Sequence, residues 1–458
     1  MTTRIGRRTF LKHCAVSGAG LIILKSGTLK AGNSPNEKLN IAVIGVGGRG
    51  GDNLNSVAGE NIVALCDVNE KNLAAAVQRF PNAKTYNDWR KCLEQKDIDA
   101  VVCSTTDHTH AFISVWAMNR GKHVYCEKPI ANSVEEAHIV RQTYLKNKGK
   151  LATQMGTQIH ACDNYRRMVE MIRGGAIGPV REARVWCSRT PEGGNYFPEV
   201  SPIPDHIHWD LWIGPSTYHP FNPGYFGGCL AWNRFWDFGS GQIGDMGSHM
   251  MDMAYWGLDL KLPTTCKATG TELSGDTLPI WLTAEWDHPA NNWRDAVKVY
   301  WYDGGKKPGM PSEAFNREGL FKGVIFKGDK GWLIADYDWR ILMPRGDNDL
   351  TQYHSPKADD LIPPSLGHHQ EWIVACKTGK PTLCNFDYSG ALIEHNMLAL
   401  VSYRLGEVSK RKTSDGQEEV VTVGKELVYD AEAMKVTNCP EADRYIRKTY
   451  RSGWILNG

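Results

Sequence analysis

The sequence has twelve cysteines and no Cys-x-x-Cys pair. Their scatter argues against a zinc site and against a dense disulfide framework, and no metal is expected. No apolar run approaches the roughly 20 residues that a membrane-spanning helix needs. No basic block of the nucleic-acid-binding kind and no acidic tail occur, and the net charge is only +2. Internal repeats and long low-complexity tracts are also missing. What remains is an ordinary soluble composition, 23% charged and 41% hydrophobic, in 458 residues. That length allows two or three domains and at least one large core.

The first 32 residues differ from the rest. They carry Arg4, Arg7, Arg8, Lys12, Lys25 and Lys30 and no acid. Arg7-Arg8-Thr9-Phe10-Leu11-Lys12 precedes a short apolar run, Cys14–Leu24. This pattern reads as an export signal of the twin-arginine type, and a basic N-terminal arm is the alternative. Periplasmic or otherwise exported localisation follows from the first reading, cytoplasmic from the second. Folding in a reducing cytoplasm before export fits the cysteine usage.

From Leu39 on, the chain alternates between strand and helix patterns. Leu39–Ile44, Ile62–Cys66, Ile98–Ser104, His123–Cys126 and Leu151–Met155 read as strands. Glu70–Phe80, Asp88–Gln95, His110–Arg120 and a segment opened by the capping box at Ser133–Glu136 read as helices. Such alternation predicts a doubly wound parallel sheet. After residue 157 the texture changes. A helix at Tyr165–Arg173 is followed by strand candidates at 181–189, 266–271, 280–286, 296–302, 323–326 and 331–334, with helices at 368–378 and 389–404. The expected fold is α/β: an N-terminal Rossmann sheet plus a C-terminal α+β domain with a largely antiparallel open sheet. The expected boundaries are 1–33 for signal and linker, 34–156 for the dinucleotide domain and 157–458 for the substrate-binding and oligomerisation domain.

Four of the six residues from Gly45 to Gly50 are glycine, and Gly45-x-Gly47-x-x-Gly50 has dinucleotide-fingerprint spacing. Gly48 and Arg49 complete the turn. Asp67 follows the second strand, where a carboxylate can accept both ribose hydroxyls and repel a 2′-phosphate, so NAD is favoured over NADP. A surface loop Asp is the alternative. Glu127-Lys128-Pro129 ends a strand on the same sheet edge. Lys128 there is placed to hydrogen-bond a substrate hydroxyl, and a loop ion pair of Glu127 is the other reading. Asp245 and His249 are four apart, and share a face if they lie on a helix. A carboxylate-oriented His is a usual general base; a helix-capping Asp with an interior His is the bland alternative. Ten aromatics between Trp209 and Phe238 suit either a sugar-binding surface or a loop packed on itself. His206-x-His208 has metal-ligand spacing but no evident third ligand.

Together these motifs resemble the glucose–fructose oxidoreductase, inositol dehydrogenase and MocA (Gfo/Idh/MocA) superfamily. The glycine turn, the loop Ser104–His110, Glu127-Lys128-Pro129 and Asp245-x-Gly247-x-His249 occur in the family's order. The twin-arginine start and Trp236-Asp237-Phe238-Gly239 look like an exported branch. The resemblance implies that Thr105, His110 and Glu127 join the glycine turn and Asp67 in holding NAD. It implies that His249 is the general base, that Asp245 orients it and binds substrate, and that Lys128 polarises the reacting hydroxyl. Tyr165, Arg166 and Trp236 are further substrate-binding candidates. The implied activity is NAD(P)-dependent oxidoreduction of a secondary hydroxyl on a sugar, glycoside or cyclitol. An exported enzyme would hold NAD tightly. An NAD-dependent glycosidase is the alternative, ranked lower because that branch departs from Glu-Lys-Pro. A non-catalytic sugar or cofactor sensor is the third reading. A homodimer or tetramer is expected by analogy.

Overall fold

The computed structural model describes residues 37–311, 319–351, 353–357, 361–413 and 416–457. The export-signal segment lies outside the described residues. Among the described residues no helix is long and apolar enough to cross a membrane.

The first sheet is built from β1 (Asn40–Ile44), β2 (Asn61–Cys66), β3 (Lys84–Tyr86), β4 (Ala100–Cys103), β5 (His123–Cys126) and β6 (Thr153–Met155). All neighbours pair in parallel, in the order β3-β2-β1-β4-β5-β6. Helices cover both faces, so its central strands are apolar on both sides: Ile41 to Ile44 and Ala100 to Cys103 are buried throughout. The crossovers are α1 (Arg49–Ser56), α2 (Glu70–Arg79), α3 (Asp107–Asn119) and α4 (Val134–Lys146). The Ser133 half of the capping box predicted at α4 forms, with Ser133 Oγ accepting from Glu136 N at 3.2 Å, while Glu136 Oε2 accepts one residue further back, from Asn132 N at 3.1 Å. Of the helix expected over 88–95, only Trp89–Cys92 is α-helical.

After α5 (Asp163–Arg173) come β7 (Val180–Cys187), α6 (Gly241–Gly257), β8 (Thr265–Thr271), β9 (Leu282–His288), β10 (Val297–Asp303), β11 (Lys322–Gly328), β12 (Gly331–Ala335) and β13 (Arg340–Pro344). Helices α7 (His368–Thr378) and α8 (Phe386–Arg404) precede β14 (Glu407–Lys412) and β15 (Glu418–Val423). The second sheet runs β13-β12-β11-β7-β10-β9-β8-β15-β14. It is mostly antiparallel, with β7 and β10 parallel. Strands β8, β9 and β10 alternate buried with half-buried positions, the mark of a sheet with one covered face. β14 escapes a sequence reading because all six residues, EVSKRK, are exposed and carry no apolar alternation.

Helix α8 joins the halves. It is buried from Ser389 to Tyr403 and packs on α4, α6 and β8. Gly390 lets it approach α4, since a Cβ there would stand 2.7 Å from Arg141 Cβ. One continuous apolar core therefore runs from the first sheet to the second.

Candidate active site

A cleft of about 600 Å³ opens at the carboxyl edge of the first sheet, the edge at which open α/β sheets bind ligands. Its floor is the glycine turn. Gly45 has φ of 81°, and a Cβ on it would lie 2.4 Å from Ser104 O. Gly50 does not line the cleft. Its role is close approach, since a Cβ there would lie 2.0 Å from Gly45 O. Gly47, Gly48 and Arg49 do line it. Gly48 caps α1 without a side-chain partner, leaving the helix start to a ligand.

Asp67 braces this turn. Its Oδ2 accepts from Val46 N at 2.9 Å and its Oδ1 from Asn69 N at 2.8 Å, and it lines the cleft. Burial raises its pKa against these hydrogen bonds. Glu127 is held the same way: its Oε1 accepts from Arg49 Nε (3.0 Å), Asn53 Nδ2 (3.0 Å) and Gln158 Nε2 (2.9 Å). Thr105 lines the cleft and bonds Thr109 through its hydroxyl at 2.7 Å.

His110 also lines the cleft, but its ring works inward. Nδ1 meets Pro129 O at 2.7 Å and Nε2 meets Thr105 O at 3.1 Å. Each ring nitrogen faces a carbonyl oxygen, an arrangement that suits the protonated ring. The nearby Cys103 and Asp107 charges raise its pKa against the cost of burial. Cys103, His110 and Cys126 bring ligand-type atoms within 4.8 Å of one another, a trio that spacing along the chain does not reveal. Both His110 nitrogens are already engaged there. His208 of the His206-x-His208 pair bonds Glu70 at 2.9 Å instead of a metal-ligand partner.

The far wall is helix α6. Asp245 and His249 sit one turn apart on it, as the spacing implies, and Lys128 reaches across from β5. The Lys128–Pro129 peptide is cis. Lys128 Nζ donates to Asp245 Oδ1. Arg189 Nη1 donates to Asp245 Oδ2 at 2.8 Å. Asp245 is thus held by two cations, and its pKa is lowered by Lys128 first and Arg189 next, against burial. The Lys128 pKa is raised by the same contact with Asp245, although burial opposes it. Asp245 does not hydrogen-bond His249. Nδ1 of His249 is buried with no partner among the described residues. Burial and the Lys128 charge push the His249 pKa down to about 3, so the ring is neutral at pH 7.

None of the three further substrate-binding candidates lines the cleft. Arg166 is buried and turned away, donating to Pro363 O at 2.5 Å and Glu371 Oε1 at 2.7 Å. Trp236 is outside the cleft, bonded to Ser274 O at 3.1 Å and covered by Arg404 at 4.7 Å. Tyr165 lies behind the site, where its hydroxyl donates to His249 O at 2.6 Å and supports that turn of α6. Most of the ten aromatics pack on one another, for example Trp209 on Trp212 at 4.7 Å. Trp212, Phe226 and Trp232 do reach the cleft, beside Asp67 and Asn69. Backbone bonds tie this segment to the rim: Glu70 N to His206 O, and His208 N to Val68 O, both 2.9 Å. His108 Nε2 donates to Trp212 O at 2.9 Å. Arg189 and Asp107 escape a motif reading. Arg189 stands just past a strand end, the position that singles out Lys128.

Two family models match, described as oxidoreductase family, NAD-binding Rossmann fold (residues 39–155) and oxidoreductase family, C-terminal alpha/beta domain (residues 191–305). Together they span about half of the chain. Inositol 2-dehydrogenase of Salmonella typhimurium is 33% identical over 156 residues, 33% of this chain and 43% of that protein. A protein of Solibacter usitatus named as a glycosyl hydrolase family 109 protein is 34% identical over 197 residues, 38% of this chain and 44% of its own. The matched stretch is thus less than half the length of these relatives. The WlbA dehydrogenase of Bordetella pertussis, solved with NADH and UDP-GlcNAcA, shares the fold with a TM-score of 0.56 at 15% identity, over 80% of this chain and 97% of that one. By its two matched domains, its six-stranded Rossmann sheet and the second, mostly antiparallel sheet, this chain belongs to the Gfo/Idh/MocA oxidoreductase family.

Proposed function

We propose that this chain is an NAD-dependent oxidoreductase acting on a secondary hydroxyl of a sugar, glycoside or cyclitol. One observation carries the reading: Lys128, Asp245 and His249 converge on a cleft whose other end is the glycine turn and Asp67. The residues fit a dinucleotide. The cradle at Gly45 and Gly50 admits no Cβ, the start of α1 is open, and Asp67 presents a carboxylate at the ribose position with no Lys or Arg among its bonding partners. That carboxylate favours NAD over NADP. NAD bound there supplies a hydride acceptor.

The side chains do the rest. Neutral His249 takes the hydroxyl proton. The Lys128 ammonium stabilises negative charge as it grows on that oxygen. Asp245 holds Lys128 in place and accepts from a substrate hydroxyl. Arg49 and Thr105 border the dinucleotide path, and Tyr165 steadies the His249 turn.

The aromatic segment supports a resident cofactor. It is bonded to the rim beside Asp67 and lends Trp212, Phe226 and Trp232 to the cleft, a wall that would slow exchange of a bound dinucleotide. This suits a protein exported through Arg7-Arg8, away from free NAD. Self-association through the open face of the second sheet belongs to the same proposal, and sedimentation of the purified protein tests it. The test of function is to purify the chain, release and identify bound nucleotide, and then follow nicotinamide reduction with sugars, glycosides and cyclitols. No bound nucleotide and no reduction by any of them would overturn the reading. Similarity to the Solibacter protein supports a second reading, a redox-neutral glycosidase cycle. Aglycone release from an aryl glycoside without added NAD would favour it.

A further inference from the structure

The charges around Asp245 do not balance. Arg49 is paired with Glu127 at 3.0 Å, and Lys322 with Asp336 at 2.7 Å. His110, its pKa raised in part by Asp107, stands beside that buried carboxylate, whose Oδ2 accepts from Ser240 Oγ at 2.7 Å and Asn233 Nδ2 at 3.1 Å. Lys128 and Asp245 pair with each other. His249 is neutral. Among the described residues Arg189 is then the cation of this group without a carboxylate of its own, because its partner Asp245 is already shared with Lys128. A partly buried charge without its own counter-ion is costly, unless a ligand supplies one.

Topology places another donor near it. In the order β12-β11-β7, β11 runs antiparallel to both neighbours, so β7 and β12 end at the same sheet edge. Arg189 follows β7 by two residues and Tyr337 follows β12 by two. The Tyr337 ring stands 6.4 Å from the His249 ring, and its hydroxyl is buried with no partner among the described residues. Tyr337 lies close enough to Asp245 and Arg189 to feel both charges. The Arg189 side chain keeps 33% of its exposure, so it is not sealed off by its contact with Asp245. A guanidinium with a hydroxyl donor nearby matches a group that only accepts and carries negative charge, which is a carboxylate.

We propose that Arg189, with Tyr337, anchors a carboxylate of the substrate, so that the hydroxyl presented to Lys128 and His249 belongs to a sugar acid. The inference rests on the oxidoreductase reading for the reacting hydroxyl but not for the anchor. The test is calorimetric binding of D-glucuronate and D-glucose to the protein as purified, beside the Arg189→Gln, Arg189→Lys and Tyr337→Phe variants. Glucuronate is expected to bind about tenfold or more tighter than glucose. Arg189→Gln removes that preference. Arg189→Lys keeps part of it, because the charge remains and the fork is lost. Tyr337→Phe weakens glucuronate by about threefold. Circular dichroism of each variant checks the fold, and the Lys variant carries the test if Gln unfolds. Equal binding of the two sugars, no binding of glucuronate, or a preference that survives Arg189→Gln overturns the proposal. If glucuronate binds as expected but no sugar reduces the nicotinamide, the anchor stands and the oxidoreductase reading fails. If glucose reduces the cofactor and glucuronate gains nothing, the reverse holds.

Discussion

The two ends of the cleft are built on opposite principles. At the glycine turn the polar groups satisfy one another: Asp67 takes two backbone N–H groups and Glu127 takes three side-chain donors. At the α6 end a cleft-lining polar atom, His249 Nδ1, is left buried and alone, and so is Tyr337 Oη on the ring packed beside it. A satisfied network is rigid and complete before any ligand arrives. Orphaned groups cost free energy until something fills them. The first end is therefore a preformed cradle, while the second is a site whose hydrogen bonds are completed by its ligand.

The largest test of this contrast strikes the cradle. Gly50→Val forces a Cβ to 2.0 Å from Gly45 O, and the turn must open. We expect protein that purifies without nucleotide, measured by absorbance after acid release; retained nucleotide would show that the cradle adapts. Lys128→Met strikes the other end. Turnover should fall by roughly 10²- to 10³-fold, the usual range for a lost group that stabilises developing negative charge, with nucleotide content unchanged. Asp67→Asn comes next. The amide keeps two acceptor lone pairs but loses the charge, so NAD should bind about tenfold more weakly and discrimination against NADP should narrow. Titration with both dinucleotides reads this directly.

Acid should act more broadly and more gently. His108, His249, His368 and His395 are buried, with pKa values pushed down by desolvation to about 4, 3, 3 and 3. Below about pH 6.5 the unfolded chain takes protons that these rings refuse in the native state. Their stabilisation is complete above that pH and is lost as pH falls toward 3. Asp303 and Asp107, raised to about 7 and about 6 by burial, work in the opposite sense between pH 7 and 4. His123, His288 and His369 are lowered as well, and Asp67, Glu136 and His110 are raised, so seven groups oppose five and the melting temperature should drop from pH 6.5 to pH 5 in scanning calorimetry. A rise would mean that the raised groups dominate. The smallest expected effect is at Trp236→Phe. Because Trp236 packs between Tyr403 and Arg404, it should cost about 1–3 kcal/mol of stability and leave KM for any sugar unmoved.

The same contrast explains what a sequence reader sees. The cradle is made of backbone and of residues at fixed short spacings. Gly45, Gly47, Gly50 and Asp67 all lie within one β-α-β unit, so their pattern is legible in one dimension. Asp245 and His249 are one helical turn apart and share that advantage. Arg166 looked equivalent to Tyr165 by position, yet neighbours on a helix face 100° apart. One supports His249 and the other binds Glu371. The aromatic run had the composition of a sugar platform, but ring-on-ring packing turned most of it inward.

By itself the sequence determined the alternation that makes the parallel sheet, the turn that only glycine can make, and the order of Lys128, Asp245 and His249, because each depends on local spacing and backbone sterics. Only the tertiary structure decided that Asp245 is shared by Lys128 and Arg189 rather than given to His249, that the pKa of His110 is raised while that of His249 is lowered, and that Tyr337 stands over the same turn of α6. Those facts depend on burial and on the meeting of strands far apart in the chain, and charge and desolvation act through space, not along the sequence.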